Sequence, residues 1–236
     1  MKRKLFLGLL IAMLTIGFTA CGGTSKIDPS ELTNADKMMA VASEYLSENG
    51  YEEFSCKKND LNAVFIRGNT FTAHELNKDR TFTMYPDIFL WNLGEEPFMA
   101  GDFIFRMELR DTTEKQSDRY DLYADALTIK SGEEKIQIEY DGIPGGSDYE
   151  STYYTSRFDF DLSAEEARKL KEMATSGDVA FEMALRDNVT DYLNPLDKKY
   201  EKVRISYEFD ESDIEYLKRA LDLYIFWDDT LAVSGE

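Results

Sequence analysis

Residues able to do thiol or imidazole chemistry are few in this 236-residue chain: two cysteines, Cys21 and Cys56, and one histidine, His74. That set is too small for a structural zinc site, which takes four Cys or His ligands. A cysteine nucleophile at Cys56, or a serine triad, would have to recruit His74 from Thr72-Ala73-His74-Glu75. In such a turn-like segment a lone histidine reads as a surface residue. The sequence contains no phosphate-binding glycine loop and no Gly-x-Ser-x-Gly nucleophile turn. Carboxylates are the one catalytic group in good supply. Asp159 and Asp161 project from one face of a predicted strand at roughly 6.6–7 Å, a spacing suited to a glycosidase-type pair or a Ca2+ site. The same alternation sets them opposite Phe158 and Phe160, on the solvent side, so solvated sheet charges are the favoured reading. No stretch matches the twelve-residue calcium loop.

Aromatic side chains are the other candidates. Trp91 lies in Phe89-Leu90-Trp91-Asn92; Tyr149, Tyr153 and Tyr154 flank a glycine-rich loop; Tyr224, Phe226 and Trp227 lie near the C-terminus. Rings beside carboxylates suit a sugar or a peptide, although most rings in a folded chain are core. Tyr216, Leu223 and Phe226 fall off the main apolar stripe of a predicted C-terminal helix. Either a second layer covers them or they form a binding patch.

The elements that would position these groups follow from periodicity. Ala35, Met38, Met39, Ala42, Tyr45 and Leu46 make one helical face over 33–49, with Thr33 or Asn34 as cap and Gly50 beyond the end. Between 54 and 162 the period becomes two, as in Phe103, Phe105, Met107 and Leu109, in Ile136, Ile138 and Tyr140, and in Phe158, Phe160 and Leu162. Ser131-Gly132-Glu133 reads as a hairpin turn and 141–147 as a loop. Ser163 and Glu166 form a capping box opening a helix that Gly177 ends, and Ser212 with Glu215 form a second one opening a helix to Asp228. Val179 to Leu185 and Val203 to Phe209 alternate as strands. Segments 157–174 and 204–221 share a strand-then-helix outline, by duplication or by convergent patterning. The fold class expected is α+β, an antiparallel sheet-rich domain with one N-terminal helix and two C-terminal helices. It occupies 33–236 as one domain, with a split near residue 150 as the alternative.

Composition narrows the partners. With 43% hydrophobic and 13% aromatic residues the chain is a folded protein. Its formal charge of −19 and the lack of any Lys/Arg cluster beyond the first four residues exclude nucleic acid and anionic membranes as electrostatic partners. Cationic ligands, Ca2+ and basic peptides stay compatible with it.

The N-terminus supplies an address. Lys2, Arg3 and Lys4 precede an apolar run from Leu5 to Ala20, too short for a confident membrane span, and Phe18-Thr19-Ala20-Cys21-Gly22-Gly23 follows. This resembles the lipobox signal of bacterial lipoproteins, with Phe18 standing where the family has leucine. The resemblance implies cleavage before Cys21, lipidation of its thiol and retention on the extracytoplasmic face of a membrane, with 1–20 as signal peptide and 21–32 as tether. Loss of the three basic residues takes the formal charge from −19 to −22. Two or more acyl chains hold a protein stably where one does not. With Cys21 acylated, Cys56 would be a lone thiol and no internal disulfide could form.

The expected role is a membrane-anchored, non-enzymatic module binding a protein or small-molecule ligand, with no cofactor. The alternative is a tethered carboxylate-dependent hydrolase acting on cell-surface glycan or peptide. A carboxylate pair roughly 5–9.5 Å apart, with raised pKa values, in an aromatic cleft would favour the enzyme, and an exposed apolar patch with no such pair the binder.

Overall fold

A computed structural model describes residues 27–28, 32–59, 61, 63–71, 74–92, 98–112, 121–140, 146–150, 153–189 and 199–232. Residues 1–20, expected to be a signal peptide, Cys21 and the 141–145 part of the expected loop lie outside the described residues, as do the side chains of His74, Tyr149, Tyr153 and Tyr154. The described elements are three helices and two antiparallel sheets, the α+β class expected.

Helix α1 (Ala35–Glu48) starts where Asn34 Oδ1 accepts from the Lys37 amide at 3.0 Å. Gly50, at φ 68°, turns the chain just past its end. Its inward face is the predicted one: Ala35, Met38, Ala42 and Leu46 are buried, with Met39 and Tyr45 half-buried. Leu32, expected in the tether, is buried at 2% exposure, and Ile27 packs on the core, so the folded part begins earlier than the sequence suggests.

The large sheet contains β1 (Phe54–Lys58), β2 (Val64–Gly68), β3 (His74–Asn77), β4 (Arg80–Trp91), β5 (Met99–Asp111), β8 (Gly146–Glu150) and β9 (Tyr153–Leu162). Its order is β1-β2-β4-β5-β9-β8, with β3 paired to the start of β4. The small sheet, ordered β11-β10-β6-β7, holds β6 (Asp121–Ser131), β7 (Glu134–Glu139), β10 (Ala180–Val189) and β11 (Lys199–Glu208). Gly132, at φ 57°, makes the β6–β7 turn where Ser131-Gly132-Glu133 predicted it. Gly146 and Ser147, expected in a loop, open β8 instead, because β9 offers them a pairing edge.

Helix α2 (Ala164–Ser176) carries the predicted box: Ser163 Oγ accepts from the Glu166 amide while Glu166 accepts from the Ser163 amide. Helix α3 (Glu211–Ala232) corrects its prediction. It starts earlier because Asp210 Oδ1 accepts from the Asp213 amide at 2.9 Å and Asp213 accepts back from the Asp210 amide, so Asp210 and Asp213, not Ser212 and Glu215, form the box. Both copies of the strand-then-helix outline are hairpins followed by a helix, β8-β9-α2 and β10-β11-α3, and the two helices pack together.

Phe103, Phe105, Met107, Phe158, Phe160 and Leu162 on the inner face of the large sheet are all at most 1% exposed. They meet the small sheet through Phe105 on Phe181 (4.9 Å between ring centres) and α3 through Phe103 on Tyr224 (5.6 Å). One apolar cluster runs from Leu32 to Leu231 and takes members from both sides of residue 150. At about 25 cal/mol per Å2, such burial is the main force holding the layers together.

Candidate functional site

The alternation that buries Phe158 and Phe160 turns Asp159 and Asp161 outward, as predicted, but the two have different fates. Asp159 lies opposite Arg106 in the β5–β9 register and takes both guanidinium hydrogens, from Nε at 2.7 Å and Nη2 at 2.8 Å. Arg106 Nη1 also reaches Asp87 Oδ2 at 3.1 Å, and Arg67 Nη2 reaches the same oxygen at 2.9 Å. A ladder Arg67–Asp87–Arg106–Asp159 thus crosses β2, β4, β5 and β9. Asp87 within it is fully buried, and its Oδ1 and Arg67 Nε find no partner among the described residues. Burial pushes the Asp87 carboxyl up, against the pull of both arginines. Asp159 is an ion-pair partner, which removes it as a metal candidate. Among the described residues no group of three or more His, Cys, Asp or Glu is placed to hold a metal.

Asp161 has Ile104 opposite it and no cation. It opens on a cleft of about 510 Å3 at the rim of the large sheet, where the start of β5 and the end of β9 meet α2 and α3. This volume lies in the range of small-ligand sites. Phe89, Trp91 and Ile104 form one wall; Tyr224 and Asp228 of α3 form another; Asp102 and Asp161 line its acidic side. A bulge builds the wall. Ile88 pairs with Phe103 and Leu90 with Ala100, so Phe89 faces two residues of β5, Gly101 and Asp102. A Cβ on Gly101 would come within 3.0 Å of the Phe89 ring and 3.5 Å of Trp91 Nε1. Glycine there lets the Phe89 and Trp91 rings lie parallel over the strand, 5° apart in plane and 6.4 Å between centres. Phe65 extends the stack at 5.0 Å from Phe89.

The acidic side is electrostatically crowded. Asp102 lies one step beyond the Phe103–Leu162 pair, which makes it a diagonal neighbour of Asp161 at roughly 7–8 Å. Burial raises the Asp102 carboxyl above the usual range, with Glu166 adding to it. The Asp161 carboxyl is raised first by burial and then by the charges of Asp102 and Asp159, with Arg106 opposing. Both residues remain open to solvent, so burial here means crowding at a cleft mouth and not enclosure. Asp228, the third acid of the lining, accepts from Arg168 at 2.7 Å.

The binding candidates on α3 are covered. Leu223, predicted to be off-stripe, has no exposed surface, because α3 is packed on more than one side. Phe226 stacks on Tyr45 of α1 at 4.0 Å, and Tyr216 donates to the Asn69 carbonyl at 2.7 Å while its ring packs on Phe54 and Phe71. The second layer exists, and Tyr216, Leu223 and Phe226 form no contact patch. Among the described residues only Leu61 and Met99 are large, apolar and exposed. The helix docks chiefly on α2 and β5.

Cys56 is half-buried, and burial raises its thiol, against a Ser43 hydrogen bond that lowers it. A raised thiol is a poorer nucleophile at neutral pH. Its strand position aligns through Ile66 with Ile88 of β4, whereas His74 pairs with Phe82. Six residues along β4 are about 20 Å, which separates the two. Asp102 escaped the sequence reading. Its signal was Gly101 inside an alternating strand, a mark of a bulge or of close approach.

No family model, curated protein or solved structure matches the chain. No helix among the described residues is long and apolar enough to cross a membrane.

Proposed function

We infer that the protein is a lipid-anchored, extracytoplasmic binding module whose ligand enters the Trp91 cleft. The observation that carries the binding half is the cleft itself: a ligand-sized hollow with parallel rings on one wall and carboxylates on the other. The anchoring half rests on the charged start, the apolar run to Ala20 and Cys21. Acyl chains on Cys21 would hold the domain at a membrane that its own negative charge does not favour.

Two measurements test the reading. Mass spectrometry of the protein from bacterial membranes should find acylated Cys21 as the N-terminus, and Cys21→Ala should leave the membrane fraction; an unmodified N-terminus would end the anchoring half. For the cleft, small-fragment screening by NMR should give ligands that perturb Trp91 and are lost in Trp91→Ala. Hits scattered elsewhere would end the binding half.

One observation favours the alternative hydrolase: Asp102 and Asp161, both raised, in a cleft with aromatic walls. A working acid–base pair, however, holds one carboxyl protonated and the other ionised, and among the described residues neither Asp102 nor Asp161 has a hydrogen bond or ion pair that would hold it ionised. Binding is therefore the better reading. Turnover of glycan or peptide substrates by wild type, abolished in Asp102→Asn, would reverse it.

A further inference from the structure

The cleft's charges select the chemistry of its ligand, and this step rests on the Trp91 cleft being the binding site. Among the described residues three acids line it, and no lysine or arginine does. The guanidiniums nearby are already engaged: Arg106 by Asp159 and Asp87, Arg168 by Asp228 and Asp229. Asp102 and Asp161 form no ion pair among the described residues, and each is raised by a neighbouring carboxylate as well as by burial. Trp91 lines the same cleft, half-buried and parallel to Phe89, with its Nε1 over Gly101. Two unpaired carboxylates and an indole lining one cleft are complementary to a positive head on an apolar stem. The carboxylates take the charge, while the ring takes the methylenes and contributes a cation–π attraction. The formal charge of −19 draws such ligands toward the surface.

We propose that the cleft receives an organic cation, either a lysine or arginine side chain of a peptide or a polyamine, held between the Asp102 and Asp161 carboxylates and the Trp91 ring. The first source would make the protein a receptor for basic peptide segments, the second a polyamine-binding protein.

The test uses the full-length lipidated protein in nonionic detergent. The chain has two tryptophans, and Trp227 has no exposed surface, so the Trp91 indole N–H signal reports on the cleft separately. Four probes are titrated: spermidine, blocked Ala-Lys-Ala, its neutral norleucine analogue, and maltotriose. At least one cation should shift Trp91 without shifting Trp227. The preferred cation names the source, and the lysine peptide should bind about tenfold more tightly than its norleucine analogue if the peptide is that source. Combined Asp102→Asn and Asp161→Asn should lower cation affinity about tenfold at pH 7, with no fall in melting temperature. Glu133→Gln, in the β6–β7 turn, removes one exposed charge away from the cleft and should change little. Equal loss in Glu133→Gln would overturn the proposal by making the attraction diffuse. A Trp91 response to norleucine peptide or maltotriose but to neither cation would overturn the cation and leave the cleft standing. No response at Trp91 to any probe would overturn both.

Discussion

Asp159 and Asp161 leave one strand on one face, two residues apart, yet only the first has a cation opposite it. Asp159 ends a ladder that starts at Arg67 and passes through buried Asp87 and Arg106. Asp161 faces Ile104 and shares a cleft mouth with Asp102. In the middle of the sheet, charge is matched strand by strand, and its role is structural. At the rim, charge is left unmatched beside half-buried rings, and the carboxylates carry the cost of their mutual repulsion. The lesson is that acidic pairs are sorted by what the neighbouring strand places opposite them, and not by their own spacing.

If this contrast is right, the two regions respond oppositely to mutation. The largest effect is expected at Asp87. Truncation to Ala strands Arg67 and Arg106 over a buried site and should cost about 3–5 kcal/mol in chemical denaturation, whereas Asp102→Ala should stay within about 0.5 kcal/mol. Similar costs at both would erase the distinction. The covered side of α3 and the open cleft provide a second contrast. Leu223→Ala should cost about 2–5 kcal/mol, as should Leu217→Ala, because both are fully buried. Trp91→Ala, half-exposed, should cost about 1 kcal/mol or less in the same measurement. A neutral Leu223→Ala would restore the contact patch on α3.

The smallest effect carries a sign. Asp102 and Asp161 have folded-state pKa values above those of the open chain, so their contribution to stability is present while they are protonated and declines as pH rises through the folded values. Replacing both by Asn should therefore give a modest gain in melting temperature at pH 7 that disappears below about pH 4. Asp159, Glu166 and Asp228, with Arg106 and Arg168 as fixed charges, are the other groups facing this pair, and all are retained in the variant. A loss of stability at pH 7 would mean that the carboxylates have partners after all.

Much of this architecture was legible locally. Asn34, Gly50, the Ser163–Glu166 box, Gly132 and the alternation in β5, β7 and β9 act within a few residues, and sequence periodicity reports them directly. The sorting of strands into β1-β2-β4-β5-β9-β8 and β11-β10-β6-β7 was not legible, because it joins segments far apart in sequence. The site was hidden for the same reason. Whether Asp159 or Asp161 meets Arg106 depends on the β5–β9 register, and Leu223 is covered only because α3 has neighbours beyond its main stripe. Asp210 was passed over as a cap because Ser212 two residues later offers the same pattern.

The most direct test of the central claim is a pH titration of the Asp102 and Asp161 side-chain carboxyl carbons by NMR, with and without spermidine. In the free protein both midpoints should lie above the ordinary aspartate value of about 3.9, and saturating cation should move both down, because a bound positive charge favours the ionised form. Midpoints at or below the ordinary value in the free protein, or midpoints that do not move when cation is added, would contradict the account.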